Sequence, residues 1–147
     1  MAKTTAPDTV ALLDDEFYNM TWMWDYLYSK DLNLVAASTA NEAIDILDQE
    51  IYRFAVIDLN VPILPPLDAA ALELGAVYVK YPGLFVARHA RNKGYRGRQV
   101  VIYSVHRDAE VSEIASKLGC TYILKGRPKE IKEELEGVMS FDPTEEA

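Results

Sequence analysis

Five short apolar runs recur along the chain, at residues 10–13 (VALL), 34–37 (LVAA), 54–57 (FAVI), 100–103 (VVIY) and 122–124 (YIL). The first four are apolar on both faces and stop at polar residues, the pattern of strands buried on both sides of a parallel sheet. Between the runs the apolar positions switch to helical spacing. Met20, Met23, Trp24, Leu27 and Tyr28 fall on one face of a helix over residues 18–29. The run TANEAIDILDQ opens with Thr39 and has Glu42 three positions later, a capping box that predicts a helix start. Residues 84–93, 108–118 and 128–139 complete the helical set, with Gly94 and Gly119 after two of the helices and Pro128 in a first turn. Five strand–helix units in a row predict one α/β domain with a parallel sheet and helices on both faces.

One stretch breaks the rhythm. Residues 61–82 (VPILPPLDAAALELGAVYVKYP) hold four prolines and a weak helical piece near 68–74. Connections in such folds usually run roughly 2–6 residues, so about 63–82 reads as an insertion. The helix from Gly83 onward (GLFVARHARNKG) then leads directly into the fourth strand.

Composition narrows the class. The chain has 147 residues, 50% of them hydrophobic and 26% charged, which suits one globular domain and excludes disordered, collagen-like or repeat proteins. No apolar stretch approaches the roughly 20 residues of a membrane span, and MAKTTAPDTV lacks the apolar core of a secretion signal. A single cysteine, Cys120, cannot form an internal disulfide, as expected in a reducing cytoplasm. The net charge of −8 opposes binding to nucleic acid.

In open parallel sheets ligands bind outside the carboxyl ends of the strands. The first strand ends in Asp14-Asp15, the third in Asp58, the fourth in Ser104 and the fifth in Lys125. Three carboxylates brought together repel one another unless a cation joins them. A hard divalent ion with oxygen ligands, most simply Mg²⁺, removes that repulsion and accepts phosphate oxygens as well. With a metal and the Lys125 ammonium beside it, Asp58 has the surroundings of a phosphoryl acceptor, and Ser104 can donate to a phosphoryl oxygen. The blander reading is that these aspartates cap the helices that follow them.

With those residues in place, the chain resembles the receiver domain of two-component response regulators (CheY-like). The likeness covers about residues 8–139 outside the insertion, leaving a 1–7 extension and a flexible acidic tail at 140–147. It rests on VALLDDE, on FAVIDLNVP with a proline four after the aspartate, on VVIYS and on YILKG. The resemblance implies a flavodoxin-like, doubly wound (βα)5 sandwich with strand order 2-1-3-4-5. It implies that Asp58 is the phosphoacceptor. Asp14 and Asp15, joined by Asp58 and the main-chain carbonyl of Asn60, then bind Mg²⁺, with Mn²⁺ as the alternative ion. Lys125 contacts the phosphoryl group, Ser104 moves toward it on activation, and Tyr122 turns inward as the aromatic switch.

The resemblance further implies a stand-alone cytoplasmic signalling switch that catalyses its own phosphorylation and dephosphorylation and is not otherwise an enzyme. The phosphoryl donor is a histidine kinase or a histidine phosphotransfer protein. The readout is a surface around residues 108–139 offered to a downstream protein effector, with a homodimer as a further outcome. Two positions depart from the family pattern. Lys125 is followed by Gly126 rather than proline, and Val105 stands where a small residue is common. The alternatives are a phosphorylation-independent scaffold and an aspartate-nucleophile phosphatase. The latter usually has a second aspartate two residues after the nucleophile, where this chain has Asn60.

Weaker signals carry two readings each. Trp22 and Tyr26, with Tyr18 nearby, lie off the expected core face, as a partner surface or as aromatics tucked beneath a loop. Tyr78, Val79 and Tyr81 make the insertion a lid beside Asp58 or an ornament packed on the surface. Arg88, His89, Arg91, Lys93, Arg96 and Arg98 form a basic run that reads as a solvated helix face or a site for an acidic partner. His89 and His106 are too separated for a transition-metal site, and Cys120 reads as an ordinary buried thiol. No GxGxxG or GxxxxGKS stretch supports a nucleotide cofactor.

Overall fold

The computed structural model describes residues 3–16, 21–105, 108–124 and 128–140. Five strands, β1 (Ala6–Leu13), β2 (Asn33–Ala37), β3 (Tyr52–Asp58), β4 (Val100–Ser104) and β5 (Thr121–Leu124), form one sheet in the order β2-β1-β3-β4-β5. All four pairings are parallel, and the register is level at the carboxyl edge. Leu13 stands between Ala37 and Ile57, Asp58 opposite Tyr103, and Ser104 opposite Leu124. The expected order and the expected fold class are therefore what the chain adopts.

Helices α1 (Thr21–Ser29) and α7 (Pro128–Ser140) cover one face of the sheet; α2 (Ala40–Gln49), α5 (Pro82–Asn92) and α6 (Ala109–Leu118) cover the other. Strand alternation sorts the core accordingly. Val10, Leu12, Phe54, Val56, Val101, Tyr103 and Ile123 pack with Met23, Leu27, Ile131 and Leu135. Ala11, Leu13, Ala55, Ile57, Val100 and Ile102 pack with Ala43, Leu47, Leu84, Ala87 and Val111. Each fully buried Leu, Ile or Phe contributes about 1.5–3 kcal/mol by leaving water, so both layers contribute to holding the sheet between the helices.

Several elements differ from the sequence reading. β1 begins at Ala6, before its apolar run, because Ala6 pairs with Tyr52 across an irregularity in the ladder. The stretch before Gly83 holds more helix than expected, with α3 (Leu67–Leu74) and α4 (Ala76–Lys80) hinged at Gly75. Gly75 has φ 151°, a backbone that glycine adopts without strain. Tyr28 does not face the core: it is 50% exposed and packs edge-on against Trp24 at 6.5 Å. The buried stripe of α1 is the i, i+4 pair Met23 and Leu27. Trp22 and Tyr26 are half-buried against the core layer that α1 shares with α7, and the Tyr26 hydroxyl donates to the Lys132 carbonyl at 3.3 Å. A helix covers Tyr26, not a loop. Met20 and Tyr18 lie outside the described residues.

The basic run divides between bracing and a solvated face: Lys93 and Arg98 are exposed, and His89 and Arg91 are half-buried. His89 and Lys93 meet Asp48 of α2 at 2.7 and 3.5 Å. Arg91 donates to the Leu118 carbonyl at 2.7 Å and Arg98 to the Gly137 carbonyl at 3.0 Å. Cys120 is half-buried, and burial pushes its thiol up to about 11. Among the described residues no helix is long and apolar enough to cross a membrane.

Thr39 caps α2 as expected, its hydroxyl accepting from the Glu42 N–H at 3.1 Å. The Glu42 carboxylate takes the Ser38 hydroxyl at 2.8 Å, so the capping box is half of the expected pair with a serine added. Thr39→Ala removes the cap and is expected to cost about 1 kcal/mol in urea unfolding. Leu135→Ala, which opens a void under α7, costs about 2–5 kcal/mol in the same assay. Equal losses in the two variants would contradict this division between cap and core.

Candidate functional site

The carboxyl edge of the sheet gathers the acidic residues. Asp58 closes β3, and Asp14 and Asp15 follow β1 directly. Each of the three offers a carboxylate oxygen lying within 4.8 Å of the other two. Asp14 and Asp58 are only 2% and 5% exposed, whereas Asp15 is open to solvent. Like charges at that spacing repel by about 1–4 kcal/mol per pair, between bulk-water and protein-surface screening.

Backbone donors fix the two buried carboxylates. The Glu16 N–H donates to Asp14 Oδ1 at 2.8 Å, and the Asn60 N–H donates to Asp58 Oδ1 at 3.2 Å. These are the local turns of a capping aspartate, so the blander reading describes part of the geometry. It does not describe three carboxylates converging from two strands. That donor set, all oxygen and all anionic, fits a hard divalent cation such as Mg²⁺ and offers nothing to a soft one.

Ser104 ends β4, next to β3 in the sheet, and is buried. Tyr122 lies on β5 opposite Ile102 and is half-buried against the core layer shared with α6. By alternation, Ser104 and Tyr122 share the α5–α6 side of the sheet. Val105, just past Ser104, is 61% exposed. Asn60 is exposed, two residues beyond Asp58. Lys125, Gly126 and the peptide geometry after Lys125 lie outside the described residues, as does His106.

Three contacts at this edge go beyond the sequence reading. The first is the closeness of Gly83 to Asp58. Its N–H donates to the Leu59 carbonyl at 3.1 Å, and a Cβ at this position would lie 2.1 Å from the Asp58 carbonyl oxygen and 2.7 Å from Leu59 Cα. The N-terminus of α5 thus rests directly on the peptide that carries Asp58. The second is Tyr81, two residues earlier, whose hydroxyl donates to Asp108 Oδ2 at 3.2 Å. Asp108 caps α6, its Oδ1 accepting from Glu110 and Val111 N–H at 2.9 and 3.1 Å. The segment before α5 is thereby tied to the start of α6. The third is Tyr103, whose buried phenol sits beside Asp58 on the ladder. Counting register from Asp58 to the apolar run VVIY would have found Tyr103. The other two depend on loop paths that periodicity does not carry.

No protein-family model and no curated protein matches the sequence. Solved structures do share its fold. A response regulator receiver domain protein (CheY-like) from Methanospirillum hungatei JF-1 superposes with a TM-score of 0.70 at 16% identity, over 94% of this chain and 98% of that one. The BeF3-activated N-terminal receiver domain of Klebsiella pneumoniae RstA gives 0.67 at 16% identity, over 90% and 99%. The receiver domain of a sensor histidine kinase from Pseudomonas aeruginosa PAO1, whose active-site cleft coordinates a magnesium ion, gives 0.65 at 15% identity, over 95% and 100%. The chain therefore has the CheY-like receiver-domain fold, with an acidic triad that resembles the phosphoacceptor site of that fold.

Two outcomes follow from this geometry. Alanine inside a helix ordinarily stabilises relative to glycine, but Gly83→Ala is expected to cost about 1–3 kcal/mol in urea unfolding, because the Asp58–Leu59 peptide leaves the methyl no room. A neutral or stabilising result would contradict the contact. The Val111 N–H is the largest cause that holds the Asp108 carboxyl below its ordinary value, with the Tyr81 hydroxyl and the Glu110 N–H adding to it. The stability this supplies is present above the unfolded carboxyl value of about 3.9 and is lost as pH falls through the lower folded one. A carbon-detected titration should therefore place Asp108 below the ordinary range and show it rising in Tyr81→Phe. An unmoved titration in that variant would refute the link.

Proposed function

We propose that the chain is a phosphorylation-dependent signalling switch in which Asp58 accepts a phosphoryl group from phosphohistidine. The observation that carries this reading is the convergence of Asp14, Asp15 and Asp58 to within 4.8 Å at the carboxyl edge of a receiver fold. Asp14, Asp15, Asp58 and the main-chain carbonyl of Asn60 hold Mg²⁺, or Mn²⁺ in its place. When bound, the ion neutralises negative charge on the transferring group and on its acceptor.

The remaining steps belong to the chain's own residues. An Asp58 carboxylate oxygen attacks phosphorus as the bond to the imidazole nitrogen breaks, and the histidine leaves with the electron pair of that bond. Lys125 stabilises charge on the phosphoryl oxygens. Ser104 donates to one of them, and Tyr122, on the same side of the sheet, rearranges with it. The equilibrium shifts because the phosphoryl group binds one Ser104/Tyr122 arrangement better than the other. The donor is a histidine kinase or a histidine phosphotransfer protein, and the readout is a surface formed by α6, β5 and α7 for a downstream protein. Water later cleaves the acyl phosphate, so the domain resets itself without acting on a separate substrate.

Incubation with a small phosphodonor and Mg²⁺ should add one hydroxylamine-sensitive phosphoryl group to the wild type and none to Asp58→Asn. Lys125→Ala should slow the addition by at least an order of magnitude, the scale of a lost transition-state charge contact. Val105→Ala, which opens the position after Ser104, should hasten phosphoryl loss several-fold. An unmodified wild type by intact mass would refute the reading, and stable partner binding that ignores Asp58→Asn would favour the scaffold.

A further inference from the structure

We propose that the segment before α5 carries a self-association surface, on which α3 and the two grooves beside it pair with the same surface of a second copy of this chain. The pairing uses none of the acidic-site residues and none of α6, β5 or α7, so it stands apart from the phosphoryl chemistry proposed at Asp58.

Apolar exposure is concentrated on this segment. Among the described residues six large hydrophobic side chains are exposed, and four of them fall between residues 64 and 79: Leu64 (50%), Leu72 (60%), Leu74 (43%) and Val79 (40%). A helix on a domain surface ordinarily turns its apolar stripe inward. α3 (LDAAALEL) instead buries Ala71 and leaves Leu72 and Leu74 exposed. Exposed apolar side chains gathered in this way mark an interaction surface.

The charges on either side of α3 identify the occupant. One groove runs between α3 and α2 and is lined by Ile44, Asp45 and Ala70; the other runs between α3 and α5 and is lined by Ala70, Leu74, Phe85, Arg88 and His89. Ala70 lines both, so the grooves lie on its two sides. Their charged groups have opposite signs, because α2 (ANEAIDILDQ) has acidic residues and no Lys or Arg, whereas α5 (PGLFVARHARN) has arginines and no acid. Two copies with a net charge of −8 each repel overall, so they associate only where local charges match. This surface supplies that match to itself. A twofold axis along α3 sets the Asp45 flank of each copy against the partner's Arg88 flank, whereas an axis across α3 sets like flanks together. The isologous dimer therefore has its α3 helices parallel, with an apolar centre at Leu72 and a charged rim, the usual anatomy of such an interface.

Sedimentation equilibrium over a concentration series tests the surface. The wild type should approach twice the monomer mass as concentration rises. Leu72→Glu should remain monomeric throughout, with the urea midpoint of the dilute wild type, because this side chain is 60% exposed in the single chain. Asp45→Lys and Arg88→Glu should each weaken dimerisation at least about ten-fold, since each sets like charges together at two symmetric places. The double variant should recover most of that loss. A wild type that stays monomeric up to its solubility limit overturns the proposal. So does a Leu72→Glu variant that still dimerises, because pairing then uses another face. A double variant as weak as the two single losses combined overturns the parallel arrangement.

Discussion

Mutual repulsion among three carboxylates is the constraint around which the carboxyl edge of this sheet is arranged. Asp14 and Asp58 are nearly inaccessible to water, and Asp15 is close enough to both to share one ion. Such a cluster persists only because the fold holds it in place. Two layers of aliphatic packing fix β1 and β3 side by side, backbone N–H groups from Glu16 and Asn60 fix one oxygen of each buried carboxylate, and α5 presses on the Asp58 peptide through Gly83. The packing supplies the free energy, and the site uses part of it to keep like charges together.

The pleat of the sheet separates two tasks at this edge. Asp14, Asp58 and Tyr103 lie toward α1 and α7, whereas Ser104 and Tyr122 lie toward α5 and α6. Charge is gathered on one face and the candidate switch pair sits on the other, with β4 contributing consecutive residues to both. A change at the acidic pocket thus has a short path to the opposite face, one residue along a strand. Tyr81 adds a second tie by joining the segment before α5 to Asp108 at the start of α6. Both ties run through packed or hydrogen-bonded groups, which is what the proposed two-state switch would need.

Much of this was legible in the chain. Five apolar runs ending in polar residues are enough to place five parallel strands, and the aspartates at two of those ends are enough to place the acidic cluster, because both depend on local periodicity and on one topological rule. Tyr28 was misplaced because helical spacing admits a wide apolar stripe, while the edge of the sheet that α1 covers buries only Met23 and Leu27 on that helix. The second helix before Gly83 was missed because its five residues, AVYVK, are too few to show a helical period and are rich in strand-favouring valine and tyrosine. The bracing by Arg91 and Arg98 was hidden because their acceptors, the carbonyls of Leu118 and Gly137, are main-chain atoms distant in sequence. Tyr103 hid inside an apolar run, where tyrosine reads as packing until register places it next to Asp58.

The most direct test of the central claim is thermal unfolding of wild type, Asp14→Asn and Asp58→Asn with and without Mg²⁺. Removing one charge from the cluster should raise the metal-free midpoint, because repulsion falls. Adding Mg²⁺ should raise the wild-type midpoint, with a stabilisation of roughly 2.7 kcal/mol at a hundred-fold excess over its dissociation constant. The same addition should do little for either asparagine variant. Asparagine variants that are less stable than the wild type without metal, or a wild-type midpoint indifferent to Mg²⁺, would contradict the account.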